Sequence, residues 1–201
     1  MPKVSKEVRE LRKNEILEAA LHCFSSKGYH LTTVDDIVKA CGLSKGAVYH
    51  YFKSKEEIFL SLLQRRSDAV LQELAEKLST IPSPLEKLRY WIRNDSTFDL
   101  KKKKFMYVHI ESWMYATDAP HVREQLKKSF DAFFQLTEDI IREGQQLGEI
   151  KEDIDPYRAA SMFWSLHDGI WFHVTIGYDE EKLEQRIEEM ERTMLAYLTC
   201  A

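Results

Sequence analysis

Residues 32–59 read TTVDDIVKACGLSKGAVYHYFKSKEEIF. Thr33 stands three residues before Asp36, the spacing of a capping box, and Val34, Ile37, Val38 and Cys41 then recur at helical spacing, so a helix of two turns begins after Thr33. Gly42 stops it, Leu43 supplies an apolar anchor in the turn, and Ser44 caps another helix from Lys45 to about Tyr51. Ser54 and Glu57 form a second capping box, opening a long helix through Ile58, Leu62, Leu63, Val70, Leu74 and Leu78. Two short helices joined by a tight glycine turn make a helix-turn-helix, an arrangement whose second helix enters the major groove of DNA.

The chemistry of this stretch fits that use. A reading helix must be slim where it meets base edges, and Gly46 and Ala47 present no side chain and a methyl group. Lys45, at the start of the helix, can reach guanine acceptors or a phosphate. Tyr49, His50 and Tyr51 offer hydroxyl and imidazole groups to the sugar-phosphate backbone. The helix starts at Thr33, Ser44 and Ser54 turn backbone N–H groups outward, where an anion is favoured, and Lys55 adds a positive charge beside one of them.

Moving outward, Ile16, Leu17, Ala20, Leu21 and Phe24 mark an amphipathic helix over about 6–27 that ends at Gly28. Net charge over the 201 residues is −4, which alone argues against a nucleic-acid partner, but its distribution is uneven. Residues 1–55 carry ten Lys and Arg against six Asp and Glu; the rest carries nineteen against twenty-seven. A basic first quarter on an acidic body fits a local DNA-binding head.

Beyond Pro82 and Pro84 every readable segment is helical: about Leu85 to Phe98, a segment after the Lys101–Lys104 run, about Pro120 to Gln146, Pro156 to about Ile176 with proline at the first helical position, and about Asp179 to Leu198. The expected fold is all-α with about nine helices: a three-helix DNA-binding domain over 1–55, its helix-turn-helix at about 33–52, and a helical ligand-binding and dimerisation domain over 56–201. No stretch approaches the roughly 18 apolar residues of a membrane span, and the N-terminus lacks the apolar core of a signal peptide. Cytoplasmic location and no membrane partner are expected. Cys23, Cys41 and Cys200 show no paired spacing; Cys23 and Cys41 read as small core residues rather than a disulfide framework.

The stretch FSSKGYHLTTVDDIVKACGLSKGAVYHYFKSKEEIF, beginning at Phe24, resembles the N-terminal signature of the TetR family of bacterial repressors. It matches nearly every fixed position in order and without a gap, departing mildly at Val38, where alanine is common, and at Ile58, where leucine is. The match covers about residues 10–60. The resemblance implies that Thr33, Ser44, Tyr49, His50 and Lys55 contact phosphates, that Lys45, Gly46 and Ala47 lie nearest the bases, and that Val34, Ile37, Leu43, Val48 and Phe52 form the core of the head. It also implies a dimer on a palindromic operator in double-stranded DNA, with the two heads about one helical turn apart.

By the same resemblance the remainder senses a small hydrophobic or cationic effector of unknown identity. Trp91, Phe105, Trp113, Phe134, Trp164 and Trp171 are aromatic pocket candidates, although aromatics at helical spacing also make plain core. His109, Glu111, His167 and Asp168 share helices with them and would orient a ligand. The homodimer surface is expected on the last two helices, where Phe163, Ile170 and Val174, then Ile187, Met190, Met194 and Tyr197, form stripes too broad for solvated helices. No cofactor, metal site or catalysis is expected: the seven histidines show no metal-ligand spacing, and no nucleophile elbow or phosphate loop occurs. A ligand-relieved repressor is the leading reading, with an activator or a ligand-independent regulator of the same fold as the alternative.

Overall fold

In a computed structural model, residues 6–94, 100–178 and 180–199 are described. They form nine α-helices and one 3₁₀ turn: α1 (Lys6–Lys27), α2 (Val34–Cys41), α3 (Lys45–Tyr51), α4 (Lys55–Leu78), α5 (Pro84–Asn94), α6 (Leu100–Asp118), α7 (Pro120–Gln146), α8 (Pro156–Thr175) and α9 (Leu183–Leu198). No strand occurs among the described residues. The expected boundaries reappear within a few residues. The lysine run lies inside α6, and a 3₁₀ turn over Glu180–Lys182 precedes α9. Phe98, Asp179 and Cys200 lie outside the described residues, as do the side chains of Leu100 and Lys101. None of the described helices is long and apolar enough to cross a membrane.

The chain divides into two compact units, Met1–Ser67 with Leu100–Leu126, and Asp68–Asp99 with Lys127–Ala201. This is not a cut at residue 55: α6 and the first turns of α4 and α7 belong with α1, α2 and α3. The first unit is built on Ile16, Leu17, Phe24, Ile37, Val48, Phe52, Ile58 and Phe59, all buried. Phe24 and Phe59 meet edge to face with ring centroids 5.3 Å apart, a favoured geometry for aromatic pairs. Val34 and Leu43, expected in this core, are half-buried at its margin.

The core of the second unit joins α5, α8 and α9 through Leu88, Trp91, Ile92, Phe163, Trp164, Ile187, Met190 and Met194. Asp155 caps α8, accepting the Arg158 N–H at 2.8 Å, with Pro156 at the first helical position. Glu191 of α9 is buried, and its carboxylate accepts from Arg93 and pairs with Arg89, both on α5. A buried carboxylate needs such partners, because unpaired it would be costly.

This unit corrects the expected dimer surface. Phe163, Ile170, Val174, Ile187, Met190 and Met194 are between 0 and 7% exposed within one protomer. Side chains with almost no accessible area left have almost none to bury against a partner; they hold α8 and α9 to their own core. Tyr197, at 38% exposed, is the one of the seven that faces outward.

Candidate nucleic-acid interface

The local signals read from the sequence build the site. Thr33 takes extended backbone; its Oγ1 accepts the Asp36 N–H at 3.1 Å, and Asp36 Oδ2 accepts the Thr33 N–H at 2.9 Å, so the capping box is closed from both sides. Lys27 donates to the same carboxylate at 2.6 Å. That ion pair, followed by the Thr33 bonds, holds the Asp36 carboxyl well below the usual carboxylate range. Gly42 stands at φ +69°, where a side chain is strained, and its N–H donates to Val38 O at 3.1 Å to end α2. Ser44 Oγ accepts the Ala47 N–H at 3.2 Å and starts α3. At Ser54 the box is shifted: Ser54 Oγ accepts the Glu57 N–H, but the Glu57 carboxylate reaches back to the Lys53 N–H rather than to that of Ser54.

Ile37 and Val48, both fully buried, and Phe52 anchor these helices from beneath. Thr33, Ser44, Lys45, Gly46, Tyr49 and His50 are consequently exposed, with Ala47 half-buried among them. A methyl group added at Gly46 would meet no other atom within 4 Å, so the backbone there is open to a large approaching partner. Lys45 Nζ lies 2.8 Å from Asp35 Oδ1 across the starts of α3 and α2.

Lys55 is placed differently from the others. Its ammonium donates to the carbonyls of Tyr29 at 2.7 Å and His30 at 3.1 Å, and sits 4.5 Å from the centroid of the Tyr29 ring. Burial pushes its pKa down. In this arrangement the side chain clamps the start of α4 to the turn between α1 and α2.

That turn is the centre of a network absent from the sequence reading. Glu111 of α6, expected to orient a ligand, instead accepts the Tyr29 N–H with both carboxylate oxygens, at 3.1 and 3.2 Å. Burial raises its pKa. A side chain on Gly28, which stands at φ +79°, would bring its first carbon within 2.8 Å of that carboxylate. Tyr115 donates to Glu56, and His121 Nε2 lies 2.9 Å from the same carboxylate oxygen. The Tyr115 bond, then that of His121, keeps the Glu56 carboxyl below its ordinary range. The Tyr29 and Tyr115 rings lie 4.9 Å apart. Tyr29 and Glu56 both lie within the signature stretch, the signal available for this cluster; Glu111, Tyr115 and His121 lie outside it and carry none that is local.

The pocket candidates fall into two groups. In the first unit Phe105 stacks on His109 at 5.7 Å, and His109 meets the edge of Trp113 at 5.3 Å. In the second, Trp91 and Trp164 are buried and lie 5.6 Å apart, and Trp164 donates from Nε1 to Thr137 Oγ1 at 3.1 Å. His167 lies 4.8 Å from Trp164, with its Nδ1 3.0 Å from Asp168 Oδ1. Trp171 is buried too, whereas Phe134 is half-buried and lies 5.9 Å from Tyr157. No metal-ligand cluster occurs among the described residues.

A sequence model for bacterial regulatory proteins of the tetR family matches residues 16–62, and one for the C-terminal part of BetI-type transcriptional repressors matches residues 84–199. The HTH-type transcriptional regulator YfiR of Bacillus subtilis is 34% identical over 189 residues, covering 91% of this chain and 89% of that protein. Among solved structures, a transcriptional regulator from Saccharomonospora viridis in complex with choline superposes with a TM-score of 0.86, at 23% identity, covering 96% of this chain and all of the other. FadR of Bacillus subtilis in complex with stearoyl-CoA superposes with a TM-score of 0.71, at 23% identity, covering 92% and 98%. The two superpositions establish the shared fold.

Proposed function

From the premise that this chain belongs to the TetR family of bacterial regulatory proteins, and is thus a DNA-binding transcription regulator rather than an enzyme, we propose that it is a dimeric repressor of a palindromic operator, released by a small effector. The observation carrying the reading is the exposed start of α3. Lys45, Gly46 and Ala47 are offered to base edges, and Thr33, Ser44, Tyr49 and His50 surround them as phosphate contacts, on a base of Ile37, Val48 and Phe52. Lys55 serves the interface through its clamp on the Tyr29 turn rather than as a free phosphate ligand.

A second copy of the chain is the proposed partner of the outward side of α8. Ser165, Gly169, Phe172 and Ile176 recur there every three or four residues, with Phe172 and Ile176 40% and 62% exposed. Tyr197 adds an exposed ring on α9. Two-fold pairing on this stripe matches the symmetry of a palindrome.

The effector is proposed to be a hydrophobic or cationic small molecule. The complexes of the two similar structures, with choline and with stearoyl-CoA, support the two classes. The aromatic group around Trp164, with His167 and Asp168 at its edge, suits the cation, because ring faces attract a quaternary ammonium. An effector acts only through its different affinity for two arrangements of the helices, with a typical coupling of about 1–3 kcal/mol. The helix α4, which begins at Lys55 beside the reading helices, is the proposed transmitter.

Selection and sequencing of duplexes from a random pool, at physiological salt, tests the DNA reading. An enriched palindrome with half-sites about one turn apart is expected. Binding without enrichment that vanishes as salt rises would reduce the head to non-specific electrostatics. Choline and a long-chain acyl-CoA, added separately, test the effector: one of them is expected to raise the melting temperature and weaken operator binding.

A further inference from the structure

Asp35 stands in the first turn of α2, an acidic residue on the face where DNA would bind. Its neighbour Asp36 is consumed by the capping box and by Lys27. Asp35 has another partner: its Oδ1 lies 2.8 Å from Lys45 Nζ, and both side chains are 57% exposed. An exposed pair of this kind adds little to stability. Its consequence lies in what Lys45 can bind next. A lone ammonium at this position would take any phosphate, since a compact cation neutralises a phosphate whatever the sequence. With a carboxylate 2.8 Å away, an approaching phosphate meets a nearly neutral pair and a like charge beside it. The neutral acceptors N7 and O6 of guanine carry no such repulsion. An ammonium has three N–H donors, so one can stay on Asp35 while the others reach a base.

Resting on the DNA-reading role of α3 proposed above, we infer that Asp35 is a specificity-determining residue. It holds Lys45 for base edges and discounts its contact with phosphate, lowering affinity for non-cognate DNA more than for the operator. Asp35 acts through Lys45; it is a positioning residue and not itself a reader.

The test compares Asp35→Asn with the wild type on two duplexes of equal length, the selected palindrome and a scrambled version, across a range of salt concentrations. Asn keeps the size of the side chain and removes the charge. Expected are tighter binding to the scrambled duplex, a ratio of scrambled to selected dissociation constants that falls about thirtyfold, the lower end for losing discrimination at one base pair in each of two half-sites, and a salt dependence on scrambled DNA that steepens by about one counterion for each head. In a Lys45→Ala background Asp35→Asn is expected to leave the ratio unchanged, because removing the carboxylate then eases the approach of both duplexes alike. A ratio within twofold of wild type, or an equal effect in the Lys45→Ala background, overturns the inference while leaving the regulator reading intact. A wild type that does not prefer the selected duplex overturns both. Unchanged thermal melting of Asp35→Asn is expected from the exposure of the residue, and a lowered melting temperature accompanied by weaker binding to both duplexes would assign Asp35 a structural role instead.

Discussion

The two short helices of the head and the last two helices of the chain are all amphipathic, yet they use their apolar faces differently. In α2 and α3 the face is narrow: Ile37 and Val48 are buried, Val34, Val38, Cys41, Ala47 and Tyr51 are half-buried beside them, and Asp35, Lys39, Lys45, Gly46, Tyr49 and His50 are exposed. In α8 and α9 the apolar set is broad and almost wholly consumed inside the protomer, from Phe163 to Met194. A narrow stripe therefore singles out the outward surface by elimination, because whatever is not buried must face outward. A broad one does not, because its width reports how much area is covered and not which molecule covers it.

Phe163 separates the two uses most sharply. If it is a core residue, Phe163→Ala is expected to cost about 3–5 kcal/mol of folding stability, read by chemical denaturation. A stable variant that dissociates to monomers would return Phe163 to the dimer surface. The reverse pattern is expected on the outward side of α8. The double substitution Phe172→Asp with Ile176→Asp is expected to leave helicity intact and shift the protein to monomers in analytical ultracentrifugation, a loss of at least about 2 kcal/mol of association, as for central interface residues. Persistence of a dimer at micromolar concentration would place the interface elsewhere.

On the head the effects are smaller and fall on DNA. Lys45→Ala is expected to relax discrimination at one operator position by about 1–3 kcal/mol, measured with single-base variants of the selected palindrome. Loss spread evenly over all variants would make Lys45 a phosphate contact. Tyr49→Phe, the mildest change, is expected to weaken binding by about 0.5–1.5 kcal/mol, the worth of one hydrogen bond, alike on every sequence. A loss confined to one base pair would make Tyr49 a reader.

The head was legible in the sequence because its determinants are local. Thr33 and Asp36 cap a helix from three residues apart, Gly42 supplies the left-handed turn, and Ser44 starts α3 four residues before buried Val48. What each of the polar residues does beyond its own turn was not legible. The reach of Lys55 to the carbonyls of Tyr29 and His30, and the seat of Glu111 on the Tyr29 N–H, join residues 25 to 82 positions apart. No spacing rule spans such separations, and Glu111, sharing a helix with Trp113, looked from composition like a ligand contact.

The amino-acid sequence by itself determined the nine-helix plan, the caps and turn of α2 and α3, and the outward face of α3, since these follow from backbone hydrogen bonding and apolar period within a dozen residues. Tertiary structure alone decided that α6 packs with the head, that Glu191 locks α9 to Arg89 and Arg93 of α5, that Lys45 is held by Asp35, and that the broad stripes of α8 and α9 are interior. Burial is a property of the packed chain: a side chain's period says which neighbours on its own helix share its face, and only the fold says what lies against it.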